Sequence, residues 1–192
     1  MKLLLYCTKA KPYLYDLRYI FGTFCGCKAK QNHFENLLLN GKIVAECDFE
    51  VEEIFEDNFE DARDGYVEHF YTLKSYDDFD EGQEALLKKS CLQKHELSNY
   101  LGFENGYAIH IKNLHIFDKP RFIQDYSKNE NPYNYIENAP QNMMYAYDVK
   151  SFEYYEKYIL ISIRPEWLCK ILNGEKTIEC RKRILKEMLK NE

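Results

Sequence analysis

The chain has 192 residues, 45% of them hydrophobic and 16% aromatic, and a formal net charge of −6. That is enough apolar material for one cored domain, alone or with an appendage, while the negative balance weighs against tight non-specific binding to nucleic acid. No apolar run approaches the roughly 20 residues of a bilayer span. The start MKLLLYCTKAKPYLY also lacks a signal-peptide cleavage pattern, so the chain reads as a soluble, cytoplasmic protein with no membrane partner. Seven cysteines, an odd number without framework spacing, fit reduced thiols rather than disulfides. The 17 Tyr and 12 Phe favour a strand-rich, aromatic-packed architecture.

Taken in chain order, KLLLYCT reads as a short buried strand, with Lys11-Pro12 turning the chain after it. FGTFCGCKAKQN is a glycine-punctuated loop. KIVAECDFEVEEI follows the Asn40-Gly41 turn and alternates like a strand, with Ile43, Ala45, Cys47 and Phe49 facing one way. Residues 55–85 are acidic and poorly periodic, which reads as mostly loop with short helical pieces. Ser90–Leu101 is predicted as a capped amphipathic helix, with Leu92, Leu97 and Leu101 near one face and Gly102 at its end. YAIHIKNLHIF is a strand pair or one long strand bent at Lys112-Asn113, and residues 124–142 form a long Asn/Tyr/Pro loop.

The C-terminal block is the most organised part. YILISI is a strand, Pro165 opens a helix over PEWLCKIL, Asn173-Gly174 closes it, and KTIECR is a second strand. A strand–helix–strand of this size cannot bury its own apolar face, so it has to complete a sheet begun by the first 150 residues. Glu179 and Arg181 share one face of the last strand and can pair. Lys176 has the opposite parity and reaches them only if the Gly174 turn re-aims it.

Charge is unevenly distributed. Glu46 to Lys88 holds 16 Asp/Glu against three Lys/Arg, whereas Met1 to Lys30 holds six Lys/Arg against Asp16 alone, and Ser151 to Glu192 holds nine basic and seven acidic residues. The chain is an acidic lobe between two basic ends, which form either one positive surface or merely solvated faces.

ISIRPEWLCKILNGEKTIECRKR resembles the opening signature of the ASCH domain family, a branch of the PUA-like superfamily. The family pattern G-x-K-x-x-E-x-R is met by Gly174, Lys176, Glu179 and Arg181, after a strand ending in Arg164-Pro165-Glu166. The strands that ordinarily follow are similar to YCTKAKPYLY, NGKIVAECDFEVEEI and YAIHIKNLHIFDKP, which stand earlier in this chain. The resemblance covers about two-thirds of the sequence in rotated order. It implies an α+β fold: a single circularly permuted domain over 1–192, built as a small bent PUA-like β-barrel with flanking helices. Residues 1–150 form the barrel body with an acidic insertion at about 50–88, and 151–192 carry the signature. The competing reading is a full first domain followed by a truncated second copy.

The function the resemblance implies is binding of RNA or a modified nucleotide in a cleft beside the signature. Arg181, Arg164, Lys9 and Lys11 would meet phosphate or a base carbonyl, and Tyr13, with Tyr15, would supply stacking surface. A second class is hydrolysis of the ASCH type, amidohydrolase or ribonuclease, with Lys176 and Glu179 as catalytic groups. Glu179, however, stands where the amidohydrolases would have a Thr, and a carboxylate does not replace a hydroxyl nucleophile. A third is an interaction module, by analogy with prophage proteins similar to this family, in which the acidic lobe docks on a host protein. No cofactor is called for. Cys25-x-Cys27 with His33 does not have the spacing of a common zinc site, so no metal is expected. His110 and His115 read as hydrogen-bonded strand residues, and Trp167, Cys169 and Cys180 as core.

Overall fold

The computed structural model describes residues 1–8, 41–60, 67–102, 104–148 and 155–190. They form a mixed α/β fold of eight strands in one hydrogen-bonded sheet with three α-helices. The strands are β1 (Lys2–Cys7), β2 (Ile43–Glu60), β3 (Val67–Leu73), β4 (Gly106–Arg121), β5 (Tyr126–Ser127), β6 (Met143–Asp148), β7 (Lys157–Ile163) and β8 (Ile178–Arg181). The helices are α1 (Phe79–Ser90), α2 (Lys94–Leu101) and α3 (Pro165–Leu172). Hydrogen bonding runs in the order β5-β6-β7-β1-β2-β4-β8, with β3 also on β2, and among the described residues no pairing closes this path into a barrel. No helix among them is long and apolar enough to cross a membrane.

Contacts divide the chain into two compact units: Met1–Asp48 with Asn113–Leu172, and Phe49–Lys112 with Asn173–Glu192. Strands β2 and β4 each change unit along their length, and in β4 the change falls at Lys112/Asn113, where the sequence predicted a bend. Asn113 has φ of 47°, in the left-handed region that Asn tolerates better than most residues.

In the first unit β1 runs parallel to β7, with Lys2 opposite Tyr158 and Cys7 opposite Ile163, and antiparallel to β2. Both inner strands are buried on both faces, which explains the unbroken apolar runs LLLYC and YILISI. β6 and β5 continue the pairing beyond β7. The core gathers Leu4, Tyr6, Ile43, Phe117, Ile123, Tyr126, Ile136 and Leu160. α3 occupies the predicted span and lies against β1. Its Trp167, expected in the core, is only half-buried, with the Lys170 ammonium 4.9 Å from the ring centre. The stretch 124–142 is not plain loop: it leaves a 3-10 turn over Ile123–Asp125, contains the strand β5 and sends Ile136 into the core.

The second unit departs most from the sequence reading. Residues 55–85, expected to be mostly loop, continue β2 to Glu60, return as β3 and enter α1 at Phe79. The acidic residues hid the strand because their carboxylates are cross-strand partners: Glu56 Oε1 lies 2.6 Å from His69 Nδ1, and Glu53 Oε2 lies 3.3 Å from Lys74 Nζ. The single helix predicted over Ser90–Leu101 is instead the end of α1 and the whole of α2. Cys91 breaks them apart at φ 55°, and Glu96 caps α2 by accepting the Gln93 N–H at 2.9 Å. Leu86, Leu97 and Leu101 pack with Ile54, Tyr71, Leu73, Ala108, Ile178 and Cys180 as the core of this unit.

The C-terminal strands complete pairings begun earlier in the chain, as the apolar stripe demanded. β7 pairs with β1 and β6, and β8 pairs with β4, Tyr107 facing Arg181 and His110 facing Ile178.

Helix α1 approaches β3 closely at Gly82, where an added Cβ would collide with Thr72 Oγ1 and stand 2.9 Å from Tyr76 Cβ. Gly82→Ala is therefore expected to destabilise by about 1–3 kcal/mol through overpacking, against the usual helix gain from Ala. Urea denaturation reads the change, and a stabilised variant would show that the contact is not close.

Candidate functional site

The signature residues converge at the C-terminus of α1. Gly174, at φ +78°, turns the chain after α3, and residues 175–177 then dock along the end of α1. Thr177 N–H donates to the Lys89 carbonyl at 2.9 Å, Cys91 Sγ contacts the Glu175 carbonyl at 3.3 Å, and Ile111 N–H meets the Thr177 carbonyl at 2.9 Å. Lys176 lies before the start of β8, so strand parity does not bind it. Its Nζ donates to the Ser90 carbonyl at 2.7 Å and is 3.4 Å from Glu179 Oε2. A helix C-terminus leaves carbonyls unpaired and carries partial negative charge, so an ammonium is well matched there.

Glu179 is held from its other side by Arg181, whose Nη2 lies 2.9 Å from Oε1. The shared face expected of these two residues is therefore realised as an ion pair. The Arg181 and Glu179 side chains are both largely buried, at 12% and 11% exposure, and Lys176 is deeper at 2%. Lys176 is thus an internal group.

Tyr100, near the end of α2, is partly exposed and lies close enough for the Arg181 charge to act on its phenol. Burial of part of its phenol pushes it above its ordinary pKa, the Arg181 charge and a hydrogen bond with the Lys182 backbone pull it back, and Glu179 adds to the rise. Lys182 Nζ is close by, 3.6 Å from where a Cβ on Gly102 would sit. Tyr100 and Lys182 were not singled out by sequence reasoning. Tyr100 is one of 17 tyrosines, and its place beside the signature is set by how α2 packs.

Arg164 is exposed, belongs to the first unit, and its carbonyl starts α3 by accepting from Leu168 N–H at 2.9 Å. Lys9, Lys11, Tyr13 and Tyr15 lie outside the described residues, as do Cys25, Cys27 and His33. His110 and His115 both face carboxylates, His110 Nε2 at 2.9 Å from Glu52 Oε2 and His115 Nδ1 at 3.6 Å from Glu46 Oε1. Among the described residues no group of three His, Cys, Asp or Glu is arranged to hold a metal. Cys180 is buried in the core, where desolvation pushes its thiol up to about 12; Cys7 and Cys47 are raised to about 12 by the same cause.

The acidic stretch along β2 is largely engaged with its neighbours. Glu46 accepts from Lys2 at 2.9 Å, Asp48 from Asn113 at 2.9 Å, and Glu50 pairs with Lys112. These carboxylates tie strands together.

Comparison of the chain with protein-family models, with curated proteins and with solved structures gives no match.

Removing the Lys176 ammonium is expected to cost about 3–5 kcal/mol in Lys176→Ala, since a buried carboxylate loses one of its two cations. Arg181→Ala leaves the Lys176 pair in place and should cost less; chemical denaturation of both variants checks the order. Iodoacetamide at pH 8 should label the half-exposed Cys91 and Cys169 before Cys7, Cys47 or Cys180, because a protonated buried thiol is a poor nucleophile. Peptide mass mapping reads that sequence, and early labelling of Cys180 would contradict its burial.

Proposed function

We propose that the chain binds RNA or a modified nucleotide at the Arg181 end of the signature, as a circularly permuted ASCH-type, PUA-like protein of the cytoplasm. The observation that carries this reading is the grouping of Arg181, steered by Glu179, with the half-exposed Tyr100 and with Lys182. A guanidinium offers paired donors to phosphate or a base carbonyl, and an exposed phenol ring offers a face on which a base can stack. Glu179 and Lys176 act behind this surface. Glu179 orients the guanidinium, and Lys176 fixes Glu179 against the end of α1.

This arrangement favours binding over hydrolysis at the signature. A catalytic Lys must meet its substrate, whereas Lys176 is 2% exposed and already engaged with Ser90 and Glu179. Local selectivity also suits a chain of net charge −6, which has no broad field to gather polyanions.

Fluorescence anisotropy of a labelled single-stranded RNA, titrated with salt, tests the reading. Wild type should bind with a shallow salt slope of one or two phosphate contacts. Arg181→Ala should weaken binding about tenfold, and Tyr100→Ala by about 1–3 kcal/mol through lost stacking. Binding unchanged in both variants, or absent at low salt, would remove the proposal.

A further inference from the structure

The second unit contains a half-open cavity of about 850 Å³ that is separate from the signature residues. That volume is in the range of small-molecule sites. Its apolar lining comes from Val51, Met188 and Leu189, and its polar lining includes Glu52 and His110. Glu52 is fixed at both oxygens. Ser75 N–H donates to Oε1 at 2.6 Å, and the His110 ring meets Oε2 through Nε2 at 2.9 Å.

A carboxylate only accepts, so the proton of neutral His110 sits on Nε2, and Nδ1 is left as a lone-pair acceptor. Among the described residues Nδ1 has no hydrogen-bond partner. The His110 side chain is 24% exposed. A carboxylate that fixes tautomer and ring direction in this way makes an imidazole a committed acceptor.

We propose that this cavity binds a small amine or guanidine, whose cationic group donates to Nδ1 of His110 and whose alkyl stem lies on Val51, Met188 and Leu189. The surrounding charges select the sign. Glu50 and Glu53 also line the cavity, each paired with one lysine, Lys112 and Lys74. While the imidazole is neutral, three carboxylates against two lysines leave one excess negative charge, which admits a cation and opposes a phosphate. The site is thus chemically distinct from the one proposed for RNA and does not rest on it.

Agmatine, which carries both an ammonium and a guanidinium on a four-carbon stem, is the probe, and pentanoate is the anionic control. Histidine side-chain NMR of the full chain at pH 8, with His110→Gln used to assign the resonance, reads both tautomer and binding. The free protein should show His110 protonated at Nε2, and agmatine should shift its resonances saturably while pentanoate does not. Glu52→Gln keeps the side-chain shape but releases the tautomer, because an amide can donate to the ring as well as accept from it. It should weaken agmatine at least tenfold and redistribute the proton between the ring nitrogens. Four outcomes would overturn the proposal: an Nδ1-protonated ring in wild type, no saturable shift with agmatine, equal shifts with pentanoate, or undiminished agmatine affinity in Glu52→Gln.

Discussion

A buried ammonium has few acceptable environments, and the arrangement around Lys176 follows from meeting that demand. Taking the charge out of water is repaid only when a counter-charge and full hydrogen bonding are both present. Lys176 obtains these from Glu179 and from the Ser90 carbonyl at the end of α1. The same docking gives Thr177 and Cys91 partners across the join, so the α1 terminus, the turn after Gly174 and the start of β8 are fixed together. Glu179 then has one oxygen left for Arg181. Within the signature the lysine lies innermost, and the glutamate bridges it to the arginine.

A second constraint governs β2. Carboxylates at alternate positions Glu46, Asp48, Glu50 and Glu52, with Glu53 and Glu56 beyond them, would repel one another along this strand unless its neighbours answered them. They do so with lysines, histidines and an asparagine: Lys2 and Asn113 in the first unit, and Lys112, His110, Lys74 and His69 in the second. Six of the carboxylates in the acidic stretch, Glu46, Asp48, Glu50, Glu52, Glu53 and Glu56, thus help to set the register of the sheet.

How much was legible follows from which forces are local. The α3 span was readable because Pro165, an apolar stripe and Asn173-Gly174 are all near-neighbour signals. The Glu179–Arg181 pair followed from strand parity, and the bend at Lys112-Asn113 from the backbone tolerance of Asn. By contrast, β3 and the second half of β2 were missed, since charged alternation is stabilising only once a partner strand supplies the opposite charge. Periodicity joined two helices into one because it cannot detect a single left-handed residue at Cys91. The depth of Lys176 and the nearness of Tyr100 to Arg181 are tertiary facts with no local signal. Parity alone set Lys176 apart from its partners, and the turn reversed that.

Strand β4 shows how one element can serve two opposite chemistries. Directly opposed residues in an antiparallel pair share a face. Tyr107 and Ile109 oppose Arg181 and Glu179, whereas His110 opposes Ile178. The arginine end of the signature and the imidazole held by Glu52 therefore project from opposite faces of the same strand pair. Each owes its character to a glutamate: Glu179 leaves a guanidinium oriented and suited to an anion, and Glu52 leaves an imidazole lone pair suited to a cation. The pleat of this strand pair keeps the two polar groups on separate sides, so neither charge need neutralise the other.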